Sequence, residues 1–385
     1  MKVTLIGTLP PIKAISHYCY FLVESLAKRV DLEFIGFKEI IPEFLYSGGT
    51  KEKNESAMNL INVETRMLIR WYNPVSWIRT GLQCKGEIVH LQHWAYYSSA
   101  IYCVILPILK IRGKKIVLTI HNITPHTGDM VSIVLDRVLN TLLFRFSDTF
   151  IVHNQRNKQK FMELYNIAEE RIFIITHGTL KPYGHVIGVT QSTARERFHI
   201  HDDKKVMLFF GYMWEYKGVN DLLQSLVFIK QQIKDVLLVI AGQPLNNWQK
   251  NKKIIKENNL DDYVMTDLGY IPDSDIEYYF SCADVVVLPY KLHPFDTHGG
   301  VGALAIFFKK PVVVTDVGGL PEYVKDKRAI AKPNDPRDIS EKLINVLTDQ
   351  NLLQKLSKDS EQLSIELNWD VLAEKTVAIY EKMLK

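Results

Sequence analysis

The chain has 385 residues, of which 47% are hydrophobic, 23% charged and 11% aromatic, and its net charge is +4. This composition excludes a disordered, collagen-like or low-complexity protein, and the length predicts two domains. Four cysteines without metal-ligand spacing favour reduced thiols in a cytoplasmic protein, and no apolar run reaches the roughly 20 residues of a membrane-spanning helix.

Short apolar runs alternate with amphipathic helical stretches in the first half of the chain. The runs are rich in Val and Ile and nearly continuous in hydrophobicity, which is typical of parallel strands covered on both faces. The predicted strands are Val3–Ile6, Leu32–Gly36, Ile88–Leu91, Ile116–Ile120, Thr149–Val152 and Ile172–Ile175. Because they alternate with helices, they predict parallel βαβ units.

The same pattern restarts in the second half, with predicted strands Val206–Phe210, Val236–Ala241, Val264–Leu268, Val285–Leu288 and Val312–Thr315. Periodicity lapses near Tyr183–Ser192, where turn-forming residues cluster. The sequence therefore predicts the α/β class, with two Rossmann-like, doubly wound parallel-sheet domains over residues 1–185 and 190–368 that face a cleft. A last helix, at about 369–385, begins at Asn368-Trp369, which can cap and dock it.

Loops after the strands of the second domain are candidate binding sites, because doubly wound sheets bind ligands beyond the carboxyl ends of their strands. Lys217 precedes a helix start, where a cation and backbone N–H groups can bind phosphate. The run Asp296-Thr297-His298-Gly299-Gly300-Val301 also opens a helix, and its glycines let a diphosphate approach the backbone. Taken singly, these features also fit a solvated lysine and a flexible loop, and Glu322 after Pro321 fits a helix cap.

Four histidines follow predicted strands of the first domain, namely His93, His121, His153 and His177. A histidine there can bond a substrate hydroxyl or exchange a proton near neutral pH. A single histidine is more often structural, but several polar groups at one edge favour a binding site. No dinucleotide fingerprint and no dense basic stripe are present, so neither NAD nor nucleic acid is an expected partner.

Three segments together resemble glycosyltransferase family 4, the retaining nucleotide-sugar transferases of GT-B fold. They are Phe210–Gly218, Ala283–Pro289 and Lys310–Glu322, and the tail from Asn368-Trp369 to Tyr380-Glu381 is similar to the closing helix of that family. The resemblance covers nearly the whole chain. It implies a hexosyltransferase that uses a UDP- or GDP-sugar and a glycan or lipid-linked acceptor in cell-surface polysaccharide synthesis, without a cofactor or metal.

The resemblance also implies roles for individual residues. His121 would contact the transferred sugar, Asp296 would share the catalytic position, and Lys217 would bind the diphosphate. The other residues at the sugar-nucleotide site would be Gly211, Tyr212, Gly242, Tyr270, Ile271, His298, Gly299, Gly300, Val301 and Glu322. The acceptor side would include Ile15, Ser16 and His93.

The chain departs from the family pattern at three places. Tyr212 stands where the family often has an arginine, Leu304 where it often has a second glutamate, and the first loop, Ile12–Ser16, lacks the usual glycines. The first departure removes a cation from the diphosphate, and the second removes a ribose contact. Two alternatives therefore stay open: a nucleotide-sugar epimerase of the same architecture, and a catalytically silent sugar- or nucleotide-binding partner.

The first half of the chain is basic, since residues 1–185 hold 22 Lys and Arg against 15 Asp and Glu. One stretch combines basic and aromatic side chains, and one helix is rich in apolar residues, a pattern that suits a membrane interface with anionic lipid. These residues are Arg66, Arg70, Trp71, Trp77 and Arg79, followed by Leu135, Val138, Leu139, Leu142, Leu143 and Phe146. Core packing explains them equally well. We expect a cytoplasmic protein that can lie on the inner face of the plasma membrane.

Overall fold

The computed structural model describes residues 1–12, 15–40, 60–123, 130–182, 188–245, 248–292 and 300–385. These residues form two compact units, one of Met1–Gly178 with Leu367–Lys385 and the other of Thr179–Glu366. The first unit is thus built from two separate stretches of sequence. The division after Gly178 precedes the Tyr183–Ser192 segment at which the composition placed it.

The first unit is built on a seven-stranded parallel sheet in the order β3-β2-β1-β4-β5-β6-β7. Its strands are β1 (Lys2–Gly7), β2 (Asp31–Glu39), β3 (Glu64–Arg70), β4 (Ile88–His93), β5 (Lys115–Ile120), β6 (Thr149–Val152) and β7 (Ile172–Ile174). Its helices are α1 (Ser16–Leu26), α2 (Pro74–Gln83), α3 (Tyr96–Ile111), α4 (Met130–Phe146), α5 (Gln155–Tyr165) and, from the end of the chain, α13 (Trp369–Leu384).

The second unit has a six-stranded parallel sheet in the order β10-β9-β8-β11-β12-β13. Its strands are β8 (Lys205–Phe210), β9 (Val236–Gly242), β10 (Val264–Leu268), β11 (Val285–Leu288), β12 (Val312–Thr315) and β13 (Ile330–Ala331). Its helices are α6 (Gln191–Arg197), α7 (Val219–Gln232), α8 (Gln249–Glu257), α9 (Asp273–Cys282), α10 (Gly300–Phe307), α11 (Pro336–Thr348) and α12 (Gln350–Glu366).

Every strand predicted from an apolar run is present, which confirms two Rossmann-like parallel sheets. Buried Val, Ile and Leu side chains of these strands form the core of each unit. The sequence missed β3, because this edge strand is largely exposed and carries Glu64, Arg66 and Arg70 instead of an apolar run. It also missed β13, which is only two residues long.

Helix α13 closes the first unit. The side chain of Asn368 accepts a hydrogen bond from the backbone N–H of Asp370 at 2.9 Å and so caps the helix. Trp369 then packs against Tyr18 and Phe21 of α1, with ring centroids 4.9 and 6.0 Å away. The capping and docking predicted for this helix are confirmed within the first unit.

Among the described residues, we find no helix whose length and apolar character would let it cross a lipid bilayer.

Candidate functional site

Three glycines lie at the carboxyl ends of adjacent strands in the second unit. Gly211 follows β8, Gly242 ends β9 and Gly269 follows β10, with φ values of 101°, 135° and 153°. A Cβ atom on Gly242 would lie 2.1 Å from the carbonyl oxygen of Gly211, so no larger residue fits there. This edge of the sheet therefore presents backbone without side chains, which a flat ligand can approach closely.

Lys217 lies in the loop that Gly211 begins after β8, in a short 3₁₀ turn, Glu215–Lys217. Gly218 ends the turn with φ 72°, and a Cβ atom on it would lie 1.8 Å from the carbonyl oxygen of Pro289. This close approach brings Lys217 to the loop after β11, where its Nζ donates a hydrogen bond to the hydroxyl of Tyr290 at 2.8 Å. Burial lowers the pKa of Lys217 from its ordinary value.

Tyr290 holds Lys217 in place and is itself buried. Its backbone carbonyl accepts a hydrogen bond from the hydroxyl of Thr315, at the end of β12, with an O–O distance of 2.6 Å. Burial also raises the pKa of Tyr290, so the phenol stays neutral and accepts from the lysine. Only one of the three N–H groups of the ammonium is used in the described part of the chain, and two are available to an anion.

Helix α10 begins close to the same glycine edge. Gly300 and Val301 form its first turn, and a Cβ atom on Gly211 would lie 3.2 Å from the Val301 side chain. Backbone N–H groups at a helix start attract anions. The glycine edge, Lys217 and the start of α10 together suit a ligand that joins a flat ring to a phosphate group.

The structure places the other predicted residues of the second unit as follows. The side chains of Tyr212 and Tyr270 are exposed, and Ile271 is buried. Glu322 lies in the first turn of a 3₁₀ helix, Leu320–Tyr323, where it fits the predicted capping role. The predicted site residues Asp296, His298 and Gly299 lie outside the described residues.

No group of three or more His, Cys, Asp or Glu side chains suited to a metal occurs in the described ranges. Asp273 and Asp275 have a spacing that can bind divalent cations, but both lie in the first turn of α9. Asp275 there accepts a hydrogen bond from Arg197 at 2.9 Å. The two acids are thus explained by the positive end of the helix and by this ion pair.

The first unit carries a histidine cluster at the carboxyl edge of its sheet. His121, His153 and His177 follow the adjacent strands β5, β6 and β7. The Nδ1 atom of His121 lies 3.1 Å from Nε2 of His153, and the rings of His153 and His177 are 5.8 Å apart. Tyr18 of α1 packs edge-on against all three rings at 4.6 to 5.4 Å. The structure brings these three predicted histidines together.

Predicted residues of the acceptor side do not all join this cluster. Nε2 of His93 is bonded to Ser99 and Asn140 at 2.7 and 3.1 Å. His93 thus lies on the face of the sheet opposite to its neighbour Gln92, which contacts His121. Ser16 begins α1 and donates to the hydroxyl of Thr8 at 2.9 Å, and Ile15 packs against the core.

Sequence reasoning missed Tyr290, which holds Lys217, and Tyr18, which packs on the histidine cluster of the first unit. Tyr290 lies 73 positions from Lys217, and no motif in the sequence joins them. Tyr18 occupies an apolar position of a helix and is indistinguishable in sequence from an ordinary core residue. The sequence analysis also gave no role to Gln92, although its alternation with His90 along β4 indicates that both side chains share a face.

Comparison with known proteins identifies the type of domain in the second unit. Residues 190–363 match the family model described as glycosyl transferases group 1, so the second unit contains a domain of that type. An uncharacterized glycosyltransferase of Methanocaldococcus jannaschii is 24% identical over 230 residues, covering 58% of this chain and 57% of that protein. The N,N'-diacetylbacillosaminyl-diphospho-undecaprenol alpha-1,3-N-acetylgalactosaminyltransferase of Campylobacter jejuni is 26% identical over 254 residues, 64% of each chain. The aligned part spans less than two thirds of these curated relatives.

Solved structures share the fold across the whole chain. HepE of Anabaena in complex with UDP has a TM-score of 0.73 at 15% identity and covers 99% of this chain and 100% of its own. Sucrose-phosphate synthase from Thermosynechococcus elongatus has a TM-score of 0.70 at 16% identity and covers 100% and 99%. At these identities the likeness establishes two parallel-sheet domains of the GT-B type.

Proposed function

We propose that the protein is a retaining glycosyltransferase that moves a hexosyl group from a UDP- or GDP-sugar to an acceptor hydroxyl. The observation that carries this proposal is Lys217, fixed by Tyr290 beside the bare backbone of Gly211 and Gly242. These residues lie within the domain that matches glycosyl transferases group 1. The base stacks along the glycine edge, and Lys217 with the start of α10 binds the diphosphate.

In the proposed reaction, the bond from the anomeric carbon to the diphosphate oxygen breaks, and the acceptor oxygen bonds to the same face of the sugar. The acceptor proton passes to the departing diphosphate. Lys217 and the backbone N–H groups of Gly300 and Val301 stabilise the negative charge that develops there, so no metal is required. The resemblance implies that His121 contacts the transferred sugar and that Asp296 has a catalytic role, and both roles are part of this proposal.

We further propose that the acceptor is a glycan or a lipid-linked glycan, met by the protein at an anionic membrane in cell-surface polysaccharide synthesis. The Campylobacter relative is named for a diphospho-undecaprenol acceptor. Support from this chain comes from α2, α3 and α4, which pack side by side. Their sequences contain one acid, Asp136, and its side chain is buried.

Helix α4 buries two polar side chains and exposes several apolar ones. Asp136 and Asn140 are buried, whereas Val138 is 61% exposed. Further exposed apolar side chains of the three helices are Val75, Ile78, Leu82, Ile111, Val134, Leu135 and Leu142. Arg79, Arg137 and Arg145 are exposed among them, and such a mixture suits an anionic lipid surface. The position on the inner face of the plasma membrane is part of this proposal.

Other residues expected at the membrane instead pack within the unit. Leu143 is buried in the core. Arg66 pairs with the buried Glu33 at 2.8 Å, and Trp77 donates its indole N–H to the carbonyl of Arg70 at 2.7 Å. These three side chains pack within the first unit, as the core-packing alternative predicts, and they are not part of the proposed membrane surface.

A silent nucleotide-binding partner is the second candidate, and a specific observation favours it. Tyr212 and Leu304 replace the arginine and glutamate that the resemblance would place at the diphosphate and the ribose. A protein with Lys217 alone at these positions could bind a nucleotide without turning it over.

The test is a thermal-unfolding screen of the protein against UDP, GDP, ADP and their sugars, with Mg²⁺ and with EDTA. A ligand at 100 times its Kd stabilises by about 2.7 kcal/mol. We expect one nucleotide to raise Tm equally in both conditions, Lys217→Ala to abolish the shift, and Lys250→Ala, an exposed lysine of α8, to keep it. Absence of any shift overturns the proposal. A shift without acceptor-dependent release of the nucleoside diphosphate establishes the silent partner, and a shift that needs Mg²⁺ contradicts metal independence.

A further inference from the structure

A chain of hydrogen bonds runs through the histidine cluster of the first unit, and one end of it has a fixed polarity. Nδ1 of His153 lies 2.9 Å from the backbone carbonyl oxygen of Ile175. A carbonyl only accepts, so Nδ1 of His153 carries a proton. In a neutral His153 ring, Nε2 is then an acceptor, and the proton of the 3.1 Å contact belongs to Nδ1 of His121.

The other side of His121 faces the side-chain amide of Gln92. Nε2 of His121 lies 2.9 Å from Oε1 of Gln92, and Nε2 of Gln92 lies 3.2 Å from Nε2 of His90. With this amide orientation Nε2 of His121 must donate to Gln92. The two rings then hold three protons, on Nδ1 of His153, on Nε2 of His121 and between the rings, and together they carry one positive charge. Rotating the amide by half a turn presents its NH₂ group to His121, and the pair is then neutral.

The far end of the chain accommodates both orientations. His90 lies between the hydroxyls of Thr119 and Tyr380, at 2.7 and 2.6 Å from its two ring nitrogens. Burial lowers the pKa of His90 to about 3, so this ring stays neutral and changes only which nitrogen carries its proton. Hydroxyls donate or accept as required, and Thr119 and Tyr380 therefore complete either arrangement.

From this geometry we infer that His121 and His153 share one proton that is coupled to the orientation of the Gln92 amide, and that His153 and Gln92 are positioning residues for His121. The catalytic meaning of this inference rests on the proposed function, in which His121 contacts the transferred sugar. When the amide oxygen of Gln92 accepts from His121, the pair carries one positive charge at the carboxyl edge of the first unit's sheet.

Among the described residues, the groups that face the pair do not supply this charge. Tyr18 packs on both rings from α1, His177 lies beside His153, and His90 is reached through Gln92. Burial raises the pKa of Tyr18 and lowers that of His177, so these groups stay neutral around pH 7. The His121 and His153 pair is only slightly exposed, which keeps its proton apart from bulk water.

The experiment is a pH titration of ¹⁵N-histidine-labelled protein by long-range ¹H–¹⁵N NMR, which reports the protonation of each ring nitrogen and needs no substrate. We expect His153 to carry its proton on Nδ1 throughout, and the rings of His121 and His153 to gain a proton in one common transition. Two independent transitions, or a His153 protonated only on Nε2, overturn the inference.

Two variants of Gln92 test the role of the amide. Gln92→Glu can only accept at His121, so the common transition moves to higher pH, by about one unit or more. Gln92→Met keeps the shape without hydrogen bonds and separates the two histidine transitions. If Gln92→Glu titrates as the wild type does, the shared proton is not coupled to the side chain at position 92. The thermal midpoint of each variant is measured as a control for folding.

The positioning role is tested by turnover. His153→Asn is expected to lower kcat about tenfold and to leave the KM for the nucleotide sugar unchanged, because the residues proposed to bind the nucleotide and its diphosphate lie in the other unit. An equal loss in KM contradicts positioning. If the protein transfers no sugar, the proposed function is wrong, but the NMR titration still tests whether His121 and His153 share a proton.

Discussion

The ammonium group of Lys217 donates a hydrogen bond to the buried hydroxyl of Tyr290, with 2.8 Å between Nζ and Oη. The two residues follow β8 and β11, which are neighbours in the sheet. Their contact sets the position of the Lys217 ammonium group, and it suggests a test that leaves the lysine intact.

Tyr290→Phe keeps the ring and removes the hydroxyl. We expect nucleotide affinity to fall about three- to tenfold, because a single hydrogen bond contributes about 0.5–1.5 kcal/mol and Lys217 loses its fixed position. Isothermal titration with the nucleotide found in the screen measures the change. Tyr278→Phe on α9 is the control and should bind as the wild type does, and an unchanged Tyr290→Phe would remove Tyr290 from the site.

The pH dependence of binding follows from the same lysine. Burial lowers the pKa of Lys217 below its ordinary value of 10.5, so the charge is lost at lower pH than in an exposed lysine. Nucleotide affinity should therefore decline as pH rises toward 10. Lys217→Arg, which stays charged, should keep its affinity over that range, and a parallel decline in both proteins would contradict the assignment.

Gly242 provides a test of the glycine edge. A Cβ atom there would lie 2.1 Å from the oxygen of Gly211 at φ 135°, so Gly242→Ala should lower the free energy of unfolding by about 2–4 kcal/mol through strain and displaced backbone. Gly188 has a φ of 73° with nothing within 4 Å of a Cβ atom, and Gly188→Ala should cost about 1 kcal/mol. Urea unfolding compares the two, and equal losses would contradict the close approach.

Acid should destabilise the protein through its buried histidines. Burial lowers the pKa of His90 to about 3 and that of His93 to about 4. The unfolded chain thus binds more protons than the folded one between these values and about 6.5, and stability falls as pH falls through this range. One pKa unit corresponds to about 1.4 kcal/mol, so the loss by pH 4 amounts to a few kcal/mol. Urea midpoints that stay constant from pH 7 to 4.5 would contradict it.

Asp136 acts in the opposite direction. Burial raises the pKa of Asp136 to about 6, so near pH 5 the folded state holds a proton that the unfolded state has lost. The protonated carboxyl therefore favours the folded state at low pH, and this stabilisation is lost as pH rises through 6. The free energy of unfolding of Asp136→Asn should therefore rise by about 1–3 kcal/mol relative to that of the wild type when the pH goes from 4.5 to 7.5. The difference in urea unfolding between the two pH values gives the answer, and a pH-independent difference would show that Asp136 titrates normally.

The proposed membrane surface is tested with vesicles. Val138→Asp places an acid on the exposed face of α4, and we expect co-sedimentation with vesicles rich in phosphatidylglycerol to fall about tenfold or more. Ile365→Asp, at an exposed position of α12 in the other unit, is the matched control and should bind as the wild type does. Binding that is equal on neutral phosphatidylcholine vesicles, or equally weak in both variants, would reject this surface.

The sequence predicted the two parallel sheets because continuous Val and Ile runs such as Val285–Leu288 have few alternatives. It placed His121, His153 and His177 at strand ends, and their meeting follows from the adjacency of β5, β6 and β7. It could not orient α4, because apolar content does not reveal that Asp136 points inward. Nor could it pair Lys217 with Tyr290, since a contact between distant loops depends on strand order.

The first unit has a consequence for synthesis of the chain. Its polypeptide leaves after Gly178 and returns at Leu367, so the second unit is an insertion between two parts of one folded body. A ribosome releases all of the second unit before α13, and until then Tyr18, Phe21 and His90 lack Trp369 and Tyr380. The second unit can thus reach its final form first, and α13 then completes the histidine network through its buried Tyr380.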